Sequence, residues 1–405
     1  MLLGKIQIKY SSIAILIIVV FSTTFYVFMG GNNLDYFQVL TMSLVTTILF
    51  CKFSIIKNEI PLYILILMML ISIVYTKIFN ITSFIYSTFF IFTFIQYKHI
   101  INKKHLSINL YFKVIKYIII AYGLVLVIQQ VSRILGLPIL NGLDFYTKNY
   151  RYNSLSNEPS HTSIIILALM VAYMYTKEII TKEKYTFKYV YKKDKLIWFI
   201  YLYILCTSGS ATAFLVIPIT FLFFVNLKNL IIFSILGGIL VTLAVAYIDI
   251  PAFIRIRELV PILFSLDPEM ISLVDQSASA RINPILYYFQ DFEISSIDTW
   301  FGKGCDYAEP MLMDRIVGEN NEFKTGAGGV FPILFYDYGL ISGICFLICL
   351  FKYTYSKHQP FFIVIWLAFF YSATFNSYLQ WIYITLAYTT IYFYKKSRYE
   401  HYSIS

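Results

Sequence analysis

Apolar runs of about 20 residues, the length that crosses a bilayer as a helix, follow one another along this chain with short lysine-bearing turns between them. A lipid interior leaves backbone amides no water to bond, so such runs dictate helices packed side by side. The 405 residues are 59% hydrophobic and 13% charged, with a mean hydropathy of +0.70. A soluble globule carries about 25% charged residues. The chain therefore reads as an all-α polytopic membrane protein, a single integral domain over 1–405. Twelve spans are expected near 11–29, 34–51, 60–77, 80–97, 114–136, 160–176, 195–208, 211–227, 229–249, 330–351, 360–375 and 377–394. The run from Lys195 to Leu227 is too long for one span, and "TSGSAT" at Thr207 to Thr212 breaks it into a hairpin. Lys5 and Lys9 precede an apolar segment, Ile13 to Met29, that no small-residue cleavage site follows, so a retained first helix is expected.

One stretch breaks the rhythm. Residues 250–329 hold 12 of the 22 carboxylates and four of the seven arginines, without an apolar run long enough to span. A second, shorter polar segment covers 137–159. With the N-terminus cytoplasmic, 22 of the 32 basic residues fall on the inner side, as the positive-inside rule requires. Both termini are then cytoplasmic and both polar loops face outward. The net charge of +10 is thus topological and implies no nucleic-acid partner.

The two cations are divided by type. Of 25 lysines, 21 lie inside, whereas six of seven arginines lie outside: Arg133, Arg151, Arg255, Arg257, Arg281 and Arg315. A guanidinium binds phosphate or carboxylate through paired hydrogen bonds that an ammonium cannot copy. The outer face therefore calls for fork-like recognition of an anion. For Arg257 and Arg315, pairing with the loop's own carboxylates is an equal alternative.

In the first loop, "RYNSLSNEPSH" at Arg151 to His161 puts Pro159 at the first turn of a helix, with Asn157 or Glu158 as its cap. Glu158, Ser160 and His161 then gather at a helix start whose free amides favour an anion. In the second loop, "SASARINPILYYFQDF" suggests a short amphipathic helix with Ile282, Ile285, Leu286 and Phe289 toward lipid. "TWFGKG" follows it, and "GAGGVFPILFYDYGLIS" leads back into the membrane, with Gly326 to Gly329 allowing the turn. Asp267, Glu269 and Asp275 match no calcium loop. The glycines around Lys303 lack the context of a phosphate-cradling loop, and no nucleophile elbow occurs. Cys51, Cys206, Cys345 and Cys349 lie in or beside apolar runs and Cys305 alone lies in the large loop, so no disulfide framework can be drawn and an inert thiol is expected.

Taken in order, "NEPS" in one outer loop, "SAR…INPILYYF…WFGKG" in a large outer loop and the helix "VFPILFYDYGLIS" resemble the O-antigen polymerase family, within the O-antigen ligase and polymerase superfamily. The resemblance covers the whole chain in topology and about 60 positions in residues, at Arg151 to Ser160, Ser279 to Gly304 and Gly328 to Ser342. It implies a GT-C-like fold and an inverting glycosyltransferase that needs no metal, nucleotide sugar or other cofactor. Such enzymes move a growing glycan from polyprenyl (undecaprenyl) pyrophosphate onto the non-reducing end of a lipid-linked repeat unit. They work at the outer, periplasmic face of the bacterial cytoplasmic (inner) membrane. The implied partners are those lipid-linked oligosaccharides, the bilayer and a polysaccharide chain-length regulator.

Carried onto this chain, the resemblance makes Arg151 and Arg281 the groups that neutralise pyrophosphate, with Arg255, Arg257 or Arg315 assisting. Glu158 is the first candidate for the base and His161 the second, although either also suits a helix cap. Trp300 and the tyrosines Tyr146, Tyr150 and Tyr152 suit stacking on sugar faces, as they also suit an interfacial aromatic belt. The ligase branch carries a histidine late in the large loop, and this chain has none between His161 and His358, which favours polymerase. A lipid-linked oligosaccharide flippase or another transporter is the competing class. It calls for ionisable residues inside the spans and internal repeats, whereas these spans are nearly free of charge.

Overall fold

The computed structural model describes residues 59–76, 81–102, 106–141, 151–225 except 157, 239, 246–247, 251–317 except 275, and 329–402 except 374 and 376. Helices make up the framework, with no strand among the described residues. In chain order they begin with α1 (Ile60–Thr76), α2 (Ile81–Asn102), α3 (Ile108–Ile134), α4 (Pro159–Thr181), α5 (Lys195–Thr207) and α6 (Ala211–Leu222). The large polar stretch contributes α7 (Pro251–Leu263), α8 (Pro268–Val274), α9 (Gln276–Gln290), α10 (Ile297–Phe301) and α11 (Ala308–Val317). The bundle then closes with α12 (Val330–Thr354), α13 (Phe361–Phe369) and α14 (Tyr378–Tyr402). The expected spans at 11–29, 34–51 and 229–249 lie outside the described residues. Each of the other nine falls on one of α1 to α6 or α12 to α14.

Three stretches are long and apolar enough to cross a membrane, Ile108–Ile134, Pro159–Thr181 and Ile333–Thr354, which is compatible with a membrane protein. On α3 the exposed residues Tyr117, Leu124, Ile128 and Val131 form an apolar stripe at helical spacing. That stripe suits hydrocarbon rather than water. Several helices outrun their apolar runs: α3 begins at Ile108 instead of 114, where Ser107 caps it by accepting from the Leu110 N–H at 3.2 Å. Lysines such as Lys113 end the apolar pattern without ending the helix, since a long stem carries the charge outward.

At the centre stands α4. Every side chain from Thr162 to Thr176 is buried, sheathed by α3, α5, α6, α13 and α14. Its C-terminus closes on Lys182 in the left-handed region, whose N–H returns to the Glu178 carbonyl at 2.8 Å.

At one end of the bundle Glu59, only 1% exposed, pairs with Lys98 and accepts a hydrogen bond from the Tyr353 hydroxyl. The ammonium also stands over the Tyr353 ring, 4.7 Å from its centroid. The bundle is therefore less free of charge than its sequence suggests. At the opposite end α12 breaks at Gly339, with φ 79° and ψ 172°. That break strands the carbonyls of Tyr336 and Asp337, which new donors satisfy. Lys303 N–H bonds the Tyr336 carbonyl at 2.7 Å, and Gly304 N–H and the Ser72 hydroxyl bond that of Asp337 at 3.0 and 2.7 Å. The "WFGKG" segment is thus a strap lying across the break. It fits only because both sides are glycine: a Cβ at Gly302 would lie 2.3 Å from the Asp337 carbonyl oxygen, and one at Gly339 2.3 Å from that of Trp300.

Candidate functional site

The segment from Arg151 to Glu158 is held from below by a buried polar network. Gln129 on α3 donates to the Leu140 carbonyl at 2.8 Å and accepts from the Ser154 N–H at 2.9 Å. Asn153, fully buried, donates to the Asn141 carbonyl at 2.8 Å and to that of Ser156 at 2.5 Å. Thr162, in the first turn of α4, donates to the Asn153 carbonyl at 2.6 Å. Tyr152 N–H reaches the Ser208 carbonyl at 3.0 Å, which ties the segment to the hairpin between α5 and α6. With so many buried groups satisfied at once, the backbone has one arrangement available to it. Ser154 even accepts a left-handed φ of 48°.

This frame presents the start of α4. Pro159 occupies the first turn, as the sequence leads one to expect, and Glu158 holds the N-cap position without a capping bond from its side chain. Its carboxylate, 43% exposed, instead accepts from the Ser160 hydroxyl at 3.0 Å and lies 3.9 Å from His161 Nε2. His161 is a quarter exposed and also feels the charge of Arg281. The two polar stretches, 120 residues apart at these positions, therefore come within electrostatic reach of each other near the first turn of the central helix.

Arg281 rides on α9, which forms where the amphipathic pattern places it. Its fixing is polar rather than lipid-facing: the buried Asn283 donates to the Pro268 carbonyl at 2.7 Å and to the hydroxyls of Ser272 and Ser279, both at 2.9 Å. Ile282, Ile285 and Leu286 are half-buried, and only Phe289 of the expected apolar face is exposed. Arg281 and Arg151 both present exposed side chains.

The remaining candidates are placed elsewhere. Arg315 pairs with Asp291 at 2.8 Å, and its guanidinium lies 5.4 Å from the Tyr287 ring centroid; Tyr336 also donates to Asp291, at 2.8 Å. It serves the fold of the large stretch, the alternative weighed for it. Arg257 donates to the Ala246 carbonyl at 3.4 Å. Arg255 lies on α7, and its side chain, like Tyr146, Tyr150 and Asn157, is outside the described residues. Tyr152 is only 6% exposed, so its ring is packed away from any ligand face. Trp300 is 36% exposed, with its indole N–H donating to the Ile294 carbonyl at 2.9 Å.

Two residues beyond the sequence candidates stand out. Asp337, 3% exposed, accepts from the N–H groups of Asp306 and Ala308 at 3.2 and 2.8 Å, capping α11 and securing the large stretch to α12. Gln129 organises the other stretch. An apolar run interrupted by a lone carboxylate or amide is the signal that could have marked both. Cys305 is buried, its sulfur 2.9 Å from the Tyr338 hydroxyl, and burial pushes the thiol up to about 12. Compared with protein-family models and with curated proteins, the sequence finds no match.

Proposed function

We propose that the protein is a polysaccharide polymerase, an inverting glycosyltransferase acting on pyrophosphate-linked glycan at the outer face of a bacterial cytoplasmic membrane. The observation that carries this reading is that Arg281 lies within electrostatic reach of His161, which itself stands 3.9 Å from Glu158 at the start of α4. In the reaction, Glu158 takes the proton of the acceptor hydroxyl, and the freed oxygen bonds to the anomeric carbon as the bond to pyrophosphate breaks. Arg281 and Arg151 meet the charge that develops on the leaving oxygens, each contributing about 3 kcal/mol by analogy with a preorganised oxyanion donor. His161 is the second candidate for the proton. A chain-length regulator would bind the assembled enzyme and set product size.

Gels of surface polysaccharide from cells lacking the protein test the reading. Polymerase activity requires that the ladder of long chains collapse to single repeat units. Ladders that persist overturn it. Long chains that fail to reach the lipid core mark a ligase, and the absence of even one exported repeat unit marks a flippase. The buried Glu59–Lys98 pair favours a transporter instead, since ionisable groups within a bundle often serve transport. Arg281→Lys keeps the charge and loses the fork, so it abolishes extension while the protein still inserts.

A further inference from the structure

Between the end of α9, the turn into α10, the strap and the first turns of α12 lies a pocket of about 120 Å³. One water needs roughly 10–15 Å³ of such space, so the pocket is far too large for an ion and suits a single small ring. Its lining mixes two kinds of group. Asp291, Glu293 and Asp298 bring carboxylates and Lys303 an ammonium, while Tyr288 and Tyr336 bring aromatic rings. Those rings stand edge to face, 5.2 Å apart with an interplanar angle of 89°.

Asp291 is already engaged with Arg315 and Tyr336. The Glu293 and Asp298 carboxylates have no hydrogen-bond or ion-pair partner among the described residues. The Tyr288 hydroxyl, on a side chain only 7% exposed, is buried without a partner. A buried hydroxyl left unpaired costs about 1–3 kcal/mol, which calls for a group absent from the bare chain. Among the described residues no three acidic, histidine or cysteine side chains converge as metal ligands. The carboxylates are therefore acceptors in search of donors. A pyranose supplies both halves of the match, with hydroxyls that donate to carboxylates and a C–H face that lies against aromatic rings.

We propose that this pocket is a sugar-binding subsite for an uncharged pyranose. With Asp291 paired to Arg315, two free carboxylates still outnumber the one lysine of the lining, which disfavours a uronic acid. Resting on the polymerase reading, the inference goes on to say which part of the substrate is held. Tyr288 follows Arg281 by seven positions, two turns along one face of α9 or about 10 Å. A pyrophosphate at Arg281 thus leaves the pocket to a sugar within the glycan. Phe292, 38% exposed, is the exposed aromatic of the lining, and Trp300 adjoins Thr299 beside it.

Saturation-transfer NMR on the full-length protein in micelles tests this, with the methyl glycosides of glucose, galactose, N-acetylglucosamine and glucuronic acid, and with spermidine, as probes. At least one neutral pyranoside should receive saturation that added salt leaves unchanged, while the glucuronide receives none. In Glu293→Gln/Asp298→Asn, which removes no observed bond, binding should weaken about tenfold or more. Silence from every neutral pyranoside overturns the inference, as does equal saturation in the double variant or salt-sensitive binding of spermidine alone. Failure of the two readings is distinguishable. Pyranoside binding in a protein whose loss spares the ladders sinks the polymerase reading alone, and ladders that need a protein blind to pyranosides sink the subsite alone.

Discussion

Replacing Gly339 by alanine should cost far more than an ordinary glycine substitution. The backbone there sits at φ 79° and ψ 172°, a region essentially reserved for glycine. A Cβ would lie 2.3 Å from the Trp300 carbonyl oxygen, a backbone atom that cannot swing aside. The strap would have to lift, giving up the bonds from Lys303 and Gly304 to the Tyr336 and Asp337 carbonyls at 2.7 and 3.0 Å. The Asp337 carbonyl keeps the Ser72 hydroxyl, so strain of about 1–3 kcal/mol and one carbonyl short of a donor at about 1–3 kcal/mol give a cost of about 2–6 kcal/mol. Gly136 provides the control: its φ is 66°, yet a Cβ there would meet nothing within 4 Å, so Gly136→Ala should cost only about 1 kcal/mol. Denaturant unfolding of the two purified variants measures both, and trypsin cleavage after Lys303 reports the strap directly. If the two substitutions destabilise equally, or Gly339→Ala leaves Lys303 as protected as before, the strap does not hold the break.

Two further outcomes follow from buried groups. Cys305 is raised by burial from an ordinary value of 9.0 to about 12, so its reactive thiolate is about a thousandfold scarcer near neutral pH. In a variant keeping only this cysteine, maleimide should label slowly at pH 8 until dodecyl sulfate unfolds the chain, and fast native labelling would contradict the burial. Glu59→Gln leaves Lys98 buried without its counter-charge and should cost about 3–5 kcal/mol, while Glu59→Gln/Lys98→Met should recover much of it. Simple additivity in the double variant would show that the pair is not coupled.

What could be read in advance was what depends on near neighbours in the chain. Pro159 at a helix start, the interruption at "TSGSAT" and the amphipathic run around Arg281 are local patterns, and α4, the α5–α6 hairpin and α9 follow from them. The kink at Gly339 left no such mark, because the apolar pattern runs through "FYDYGLIS" without pause. It needs a strap 35 residues earlier to take up the freed carbonyls. The pairing of Glu59 with Lys98 was equally hidden, since each sits at the edge of an apolar run and only packing of α1 against α2 and α12 brings them together. Arg315 could not be told from Arg281 by residue type; Asp291 decides it, by lying beside one and not the other. Tyr152 looked available as one of three tyrosines in an outward polar loop, but the network around Asn153 turns its ring inward.

The packing around α4 bears on how anything enters the space above it. A rod enclosed by protein from Thr162 to Thr176 cannot tilt or slide without opening voids along its length. Glu158 and His161 are therefore mounted on the stiffest member of the molecule and act as an anvil. The facing residue Arg281 stands on α9, which is itself anchored by polar bonds to α8 and by Tyr288 packed edge to face on Tyr336 of α12. Both faces of the space above α4 are therefore firmly mounted, and a guest would have to fit it as it stands.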